Sequence, residues 1–233
     1  MTSLAASLPL AGLPLRFRAG LAAAFIAGLA FLLLSPMLSG VTGGAAHAVL
    51  KGSGVALLAL SAVQIKAAGA RWLAAIMALG AVGDVLLDLP GLFIAGAGSF
   101  AVGHMVAIGF YARHRRDANA SDRLIAAGLI LYGVAMPVLL TPAGQPYGLT
   151  MVYAVLLTGM AASLWLSRFP RLAALGAIAF ILSDSLIVLR LGGGRLAGPM
   201  IDGALVWALY FGGQWLITLG VGRGLLARAA RAA

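Results

Sequence analysis

The sequence predicts an all-α polytopic membrane protein with eight transmembrane helices, and three observations carry that expectation. Of the 233 residues, 62% are hydrophobic, and the mean hydropathy is +1.05. Only 9% are charged, against about 25% in soluble domains. Charged residues and Gly/Pro clusters cut the chain into eight apolar stretches, each close to the roughly 20 residues a helix needs to cross about 30 Å of hydrocarbon. Together these features exclude a soluble enzyme, a disordered tail and a coiled coil. The sequence also lacks the period-2 alternation that a transmembrane barrel wall requires.

The spans are expected near 19–38, 48–65, 72–89, 92–111, 123–140, 148–167, 171–190 and 201–222. No basic region precedes the first apolar run, since Arg16 and Arg18 come late, so the first helix is expected to be retained rather than cleaved as a signal peptide. Only Leu89-Pro90-Gly91 separates the third and fourth spans, which predicts a tight antiparallel hairpin. The other connections are too short to hold a soluble domain, so residues 1–233 are expected to form a single integral membrane domain. Thirty-two glycines suit close helix packing. The absence of cysteine excludes disulfides, a thiol nucleophile and a thiolate metal site.

Sixteen Lys and Arg against six acids give a net charge of +10. Their positions explain it. Thirteen of the sixteen fall at the N-terminus (Arg16, Arg18), in the second loop (Lys66, Arg71), in the fourth (Arg113, Arg115, Arg116, Arg123), in the sixth (Arg168, Arg171) and at the C-terminus (Arg223, Arg228, Arg231). The opposite loops hold only Arg190 and Arg195. Such an asymmetry places both termini in the cytoplasm. The basic balance is therefore topological, and no nucleic-acid partner is expected.

All six acids are aspartates. Asp117 and Asp122 fall in the basic fourth loop and are expected to be solvated, whereas Asp202 falls at the outer mouth of the last helix, where N-capping is its plain role. Lys51, Asp84, Asp88, His104 and Asp184 remain within the spans. Each costs about 2.5–3.5 kcal/mol on insertion scales, which makes them functional candidates. Asp84 and Asp88 are four residues apart and share a helix face. Two carboxylates close together in low dielectric resist ionising together, and a protonated acid beside an ionised one is an arrangement that general acid–base chemistry uses. The competing explanation is interhelical hydrogen bonding with Lys51 as counter-ion. His104 serves equally well as a packed hydrogen-bonding residue or as a site residue. Tyr210 and Gln214 again lie four apart, with Trp207 on the same side, and alone would read as interhelical polar contacts. With the orientation above, Lys51, Asp84, Asp88, Asp184 and Asp202 lie in the outer half, and His104, Tyr210 and Gln214 nearer the midplane. This predicts a polar pocket entering from one leaflet. Residues 83–87 (Gly-Asp-Val-Leu-Leu) and 183–187 (Ser-Asp-Ser-Leu-Ile) are similar, a hint of two related four-helix halves.

Taken in order, Lys51, Gly83-Asp84-x-x-Leu87-Asp88, Phe100-x-x-Gly103-His104, Ser183-Asp184-Ser185 and Tyr210-x-x-x-Gln214 resemble the YhhN-type lysoplasmalogenase family across about 165 residues. One departure is visible: Gly52 stands where the family commonly has proline. The resemblance implies an eight-helix integral membrane hydrolase that cleaves the vinyl ether bond of lysoplasmalogens, releasing a fatty aldehyde and a glycerophospho-ethanolamine or -choline. It implies a lysophospholipid substrate, surrounding membrane lipids, no organic cofactor and, as localisation, a bacterial inner membrane.

Vinyl ether hydrolysis needs a proton donor beside a carbon and negative charge to stabilise the resulting cation. The expected catalytic residues are Asp84, Asp88 and Asp184, with either Asp84 or Asp88 as the acid. The expected substrate-binding residues are Lys51, His104, Tyr210 and Gln214; Lys51 is a candidate phosphate partner. Intramembrane aspartates and a lysine are as natural in a proton-coupled small-molecule transporter, the alternative function. A structural protein whose charges merely pair is a third. No ligand spacing such as His-Glu-x-x-His supports a metal.

Overall fold

A computed structural model describes residues 12–38, 44–143 and 147–232. Among them the eight-helix all-α architecture is present: α1 Leu15–Leu38, α2 Ala45–Val63, α3 Ala70–Asp88, α4 Phe93–Ala112, α5 Ala120–Leu140, α6 Gly148–Trp165, α7 Arg171–Leu191 and α8 Pro199–Ala232. All eight are long and apolar enough to cross a membrane. Because hydrocarbon offers no partner for a free N–H or C=O, helices of this kind satisfy their backbones internally.

Three boundaries differ from expectation for physical reasons. Helix α1 runs through Arg16 and Arg18, which point outwards while Phe17 between them is fully buried. Helix α2 starts at Ala45, which brings His47 into the helix one turn ahead of Lys51. Helix α8 has 34 residues, about 51 Å at 1.5 Å per residue, and so extends well beyond the roughly 30 Å a span requires.

Helices α1 to α4 pack in sequence, α4 meets α6, α5 lies against α6 and α7, and α8 returns from α7 to touch α1, α2 and α3. The α4–α6 and α8–α2 contacts would match each other in a duplicated four-helix unit, but the α8 contacts with α1 and α3 have no counterpart in α4. The expected hairpin joins α3 to α4. Leu89 is extended (φ −91°, ψ 138°), as a residue before proline prefers, and Gly91 takes φ +76°.

Small residues set the closest approaches. A Cβ at Gly176 of α7 would sit 2.6 Å from the Gly213 carbonyl oxygen of α8, a backbone-to-backbone contact that only glycine permits. Gly52 does the same for α2 on α3: a Cβ there would lie 2.6 Å from Val85 Cγ2 and 3.0 Å from the Ala81 carbonyl oxygen. The departure from the family's proline therefore lies at a helix–helix contact.

Asp122 corrects an expectation. It is 5% exposed rather than solvated, because α5 begins two residues before it. Its backbone N–H donates to the N-cap side chain of Asn119 at 2.8 Å. Its carboxylate pairs with Arg116 at 2.7 Å and with Arg171, and accepts from Trp165 Nε1 at 3.1 Å. One carboxylate thus ties the start of α5 to the end of α6 and the start of α7. Asp117 is exposed, as expected.

Gly176→Val should destabilise the bundle by about 1–3 kcal/mol, the usual cost of overpacking. Gly128→Ala, at a position with nothing within 4 Å of the added Cβ, should be neutral or slightly stabilising. Thermal unfolding in detergent would compare the two.

Candidate active site

Helices α2, α3, α6, α7 and α8 bring the intramembrane charges together at two depths. At the mouth, Asp88 ends α3 and meets α2 from one side. Lys51 Nζ donates to Asp88 Oδ1 at 3.0 Å, and His47 Nδ1 is hydrogen-bonded to Asp88 Oδ2. His47 Nε2 in turn lies 2.9 Å from Ser35 Oγ on α1. These side chains are partly accessible: Lys51 is 20% exposed, Asp88 19% and His47 15%.

One turn deeper the environment closes. Asp84 is 2% exposed and accepts a hydrogen bond from the Tyr210 hydroxyl of α8 at 2.7 Å. Asp184, on α7, is 7% exposed and accepts from the Tyr153 hydroxyl of α6 at 2.7 Å. Lys51, Asp88 and Asp184 all lie within electrostatic reach of Asp84. The shared face of Asp84 and Asp88 does not make a joined carboxyl pair. Each takes its partners from a different helix, which leaves one ion-paired carboxylate at the end of α3 and one buried carboxyl a turn before it.

The flanking serines complete the α7 segment. Ser183 Oγ donates to the Val206 carbonyl of α8 at 2.9 Å, and Ser185 Oγ lies 2.8 Å from the Tyr132 hydroxyl of α5. Asp202, 1% exposed, stands apart from the cluster. Its carboxylate accepts from the backbone N–H groups of Leu196 and Ala197 at 3.3 and 3.0 Å, so it fastens the loop before α8 rather than joining the other aspartates.

Below the carboxylates the axis is aromatic. Phe180 packs edge-on to Tyr210 with ring centroids 5.0 Å apart, and Phe100 packs edge-on to Tyr210 at 5.8 Å. His104, 4% exposed, lies edge-on to both Tyr153 and Phe180 at 5.5 Å. It therefore touches the tyrosine that holds Asp184 rather than either carboxylate. Gln214, 4% exposed, lies one turn after Tyr210 on α8. His104, Gln214 and Tyr111 line a cavity of about 10 Å³, which suits about one water. Trp207 is structural: its Nε1 donates to the Gly28 carbonyl at 2.8 Å and its ring stacks on Phe211. Among the described residues, no three His, Cys, Asp or Glu side chains converge as a metal-ligand set.

Two contributors escaped the sequence. His47 fell ahead of the expected start of the second span, although its four-residue spacing from Lys51 places both on one face. Tyr153, in the sixth span, was not singled out; no local signal ties it to Asp184.

A double-mutant cycle on Lys51→Met and Asp88→Asn, read by thermal unfolding, should return a coupling of about 1 kcal/mol for this partly exposed pair. The same cycle on Lys51 and Asp184, which make no direct ion pair, should return a value close to zero.

The chain is 33% identical over 191 residues to proteins named lysoplasmalogenase from Mycobacterium bovis and Mycobacterium tuberculosis, an alignment that covers 75% of this chain and 71% of each relative. No solved structure matches it. The profile of the YhhN family matches residues 46–221, a stretch that contains every side chain of the carboxylate cluster, and the chain belongs to that family.

Proposed function

We propose that the protein is a membrane-embedded hydrolase that cleaves the vinyl ether bond of lysoplasmalogens, giving a fatty aldehyde and glycerophospho-ethanolamine or -choline. Family membership and the names of the mycobacterial relatives support this reading. The observation that carries its chemistry is the layering of carboxyls. An ion-paired Asp88 stands at the mouth, and Asp84 and Asp184, each bound by a tyrosine hydroxyl, stand one turn inside.

In the proposed mechanism Asp84 is the acid. An ion-paired carboxylate such as Asp88 makes a poor proton donor, whereas a carboxyl in a dry site next to other negative groups suits general acid catalysis. Asp84 would transfer its proton to the β-carbon of the vinyl ether as the double-bond electrons form the new C–H bond. The α-carbon and ether oxygen then share a positive charge. The Asp184 carboxylate would stabilise that oxocarbenium ion and take a proton from the attacking water. The hemiacetal so formed collapses: Asp184 gives its new proton to the glycerol oxygen as the C–O bond breaks, the hemiacetal hydroxyl proton returns to the Asp84 carboxylate as the C=O forms, and aldehyde and alcohol leave with both carboxyls reset. Tyr210 and Tyr153 would fix the orientation of the two carboxyls, with Gln214 and His104 supporting one tyrosine each. Lys51 and His47 at the mouth would face the substrate phosphate and hold Asp88 in place.

Purified protein should release aldehyde from a lysoplasmalogen and leave the saturated-ether analogue intact. Asp84→Asn and Asp184→Asn should each lower the rate by about 10²- to 10⁴-fold, whereas Asp88→Asn should act more on KM than on kcat. Wild-type rates in both of the first two variants would overturn the scheme.

The same proposal places the protein in a bacterial inner membrane with both termini cytoplasmic, supported by thirteen of sixteen basic residues at one end of the bundle. The chain has no cysteine, so single-cysteine labelling is clean. Arg228→Cys should react with an impermeant maleimide only from the cytoplasmic side, and Leu196→Cys only from the outside. The reverse pattern would invert the topology.

A further inference from the structure

Helix α8 is longer than a span requires, and its last turns carry Arg223, Arg228 and Arg231. Against them lies the segment that leads into α7, with Arg168 just before the helix and Leu172 and Leu175 in its first turns. Between the two runs an open groove of about 1170 Å³, with these four arginines on its walls and no acidic residue among those that line it. The glycine at 224 lets the two elements close up at its base, since a Cβ there would sit 2.6 Å from the Phe169 ring. The polarity is graded along the helix axis. Leucines lie towards the middle of the bundle, with Leu175 52% exposed, and arginines lie towards the end.

Elsewhere at this end Arg116 and Arg171 neutralise Asp122, and Arg113 lies over the Trp72 ring. Within the groove Arg168 Nε donates to the Arg115 carbonyl at 3.0 Å, which fixes its guanidinium at the groove wall. A topological charge bias needs only that arginines be on the correct side of the membrane. It does not require four of them to converge on one concave surface with an apolar floor. Guanidinium groups match phosphate oxygens in a planar, bidentate geometry, and basic pockets between helices at a membrane face are suited to anionic head groups.

We propose that this groove binds an anionic glycerophospholipid of the adjacent leaflet, with its phosphate among Arg168, Arg223, Arg228 and Arg231 and an acyl chain along Leu172 and Leu175. The bound lipid would hold the protruding end of α8 to the membrane surface and fix the depth of α7 and α8, the two helices that carry Asp184 and Tyr210. The inference rests on the groove alone and stands whether or not the protein is a hydrolase.

Native mass spectrometry of detergent-purified protein, titrated with phosphatidylglycerol, phosphatidylcholine or glycerol 3-phosphate, tests it. Wild type should retain phosphatidylglycerol in preference to phosphatidylcholine, and glycerol 3-phosphate should not displace it. Arg228→Gln/Arg231→Gln should weaken retention by about 25-fold, at about fivefold for each charge. Arg113→Gln/Arg123→Gln, which removes the same charge from the same end away from the groove, should leave it unchanged. Leu175→Asn should weaken retention with all charges in place. Equal loss in the control pair, equal retention of phosphatidylcholine, or displacement by glycerol 3-phosphate would each overturn the proposal. Far-UV circular dichroism of every variant shows whether it is folded.

Discussion

A carboxyl placed in hydrocarbon must find a polar partner, and in this bundle that requirement decides which helices meet. Asp84 draws the Tyr210 hydroxyl of α8 to α3, Asp184 draws the Tyr153 hydroxyl of α6 to α7, and Asp88 draws His47 and Lys51 of α2 to the end of α3. Association between transmembrane helices has little hydrophobic drive, because lipid tails are as apolar as the side chains they would replace. Van der Waals packing and interhelical hydrogen bonds must supply it. Each intramembrane aspartate bridges a different pair of helices, so the polar cluster is at once the candidate site and part of what assembles the helices around it.

Glycines set two of the closest helix contacts around the cluster. Gly176 and Gly213 bring α7 against α8, the helices that carry Asp184 and Tyr210, and Gly52 brings α2 against α3, the helices that carry Lys51 and Asp88. In each case the neighbour is partly backbone and cannot swing aside. The tolerance of the site to substitution therefore depends on positions that carry no chemistry, from Gly52 beside Lys51 to Gly176 eight residues before Asp184.

Much of this was legible in the chain. Eight apolar stretches and a loop-by-loop charge bias follow from the cost of burying charge in lipid, which acts on every residue and leaves a strong imprint. The same cost singled out Lys51, Asp84, Asp88 and Asp184 by their presence where charge is expensive. Pairing between distant helices left no such imprint. Nothing local to Tyr153 distinguishes a tyrosine that donates to Asp184 from one at an interface. His47 was hidden because helix starts carry weak signals and α2 begins three residues earlier than expected. Asp122 looked solvated because it is surrounded in sequence by arginines. Only Arg116 of that loop is a partner; the other, Arg171, comes from the sixth loop and is distant in sequence.

The layering also explains why three carboxyls of similar sequence context would take different parts in the proposed chemistry. General acid catalysis needs a donor that still holds its proton at neutral pH, and a site with little water favours that by disfavouring the charged carboxylate. Recognition of a zwitterionic head group requires the opposite, charges near the membrane surface that remain ionised. One turn of α3, four residues, separates the two conditions: Asp84 is 2% exposed while Asp88 is 19% exposed and ion-paired. A lysophospholipid has the same polarity along its length, with the phosphate at the surface and the vinyl ether next to the acyl region. The spacing of Asp84 and Asp88 on one helix face, about 6 Å at 1.5 Å per residue, is therefore on the scale over which such a substrate changes from ionic to apolar. This gives a physical reason for a second carboxylate at the mouth that does not require it to donate a proton.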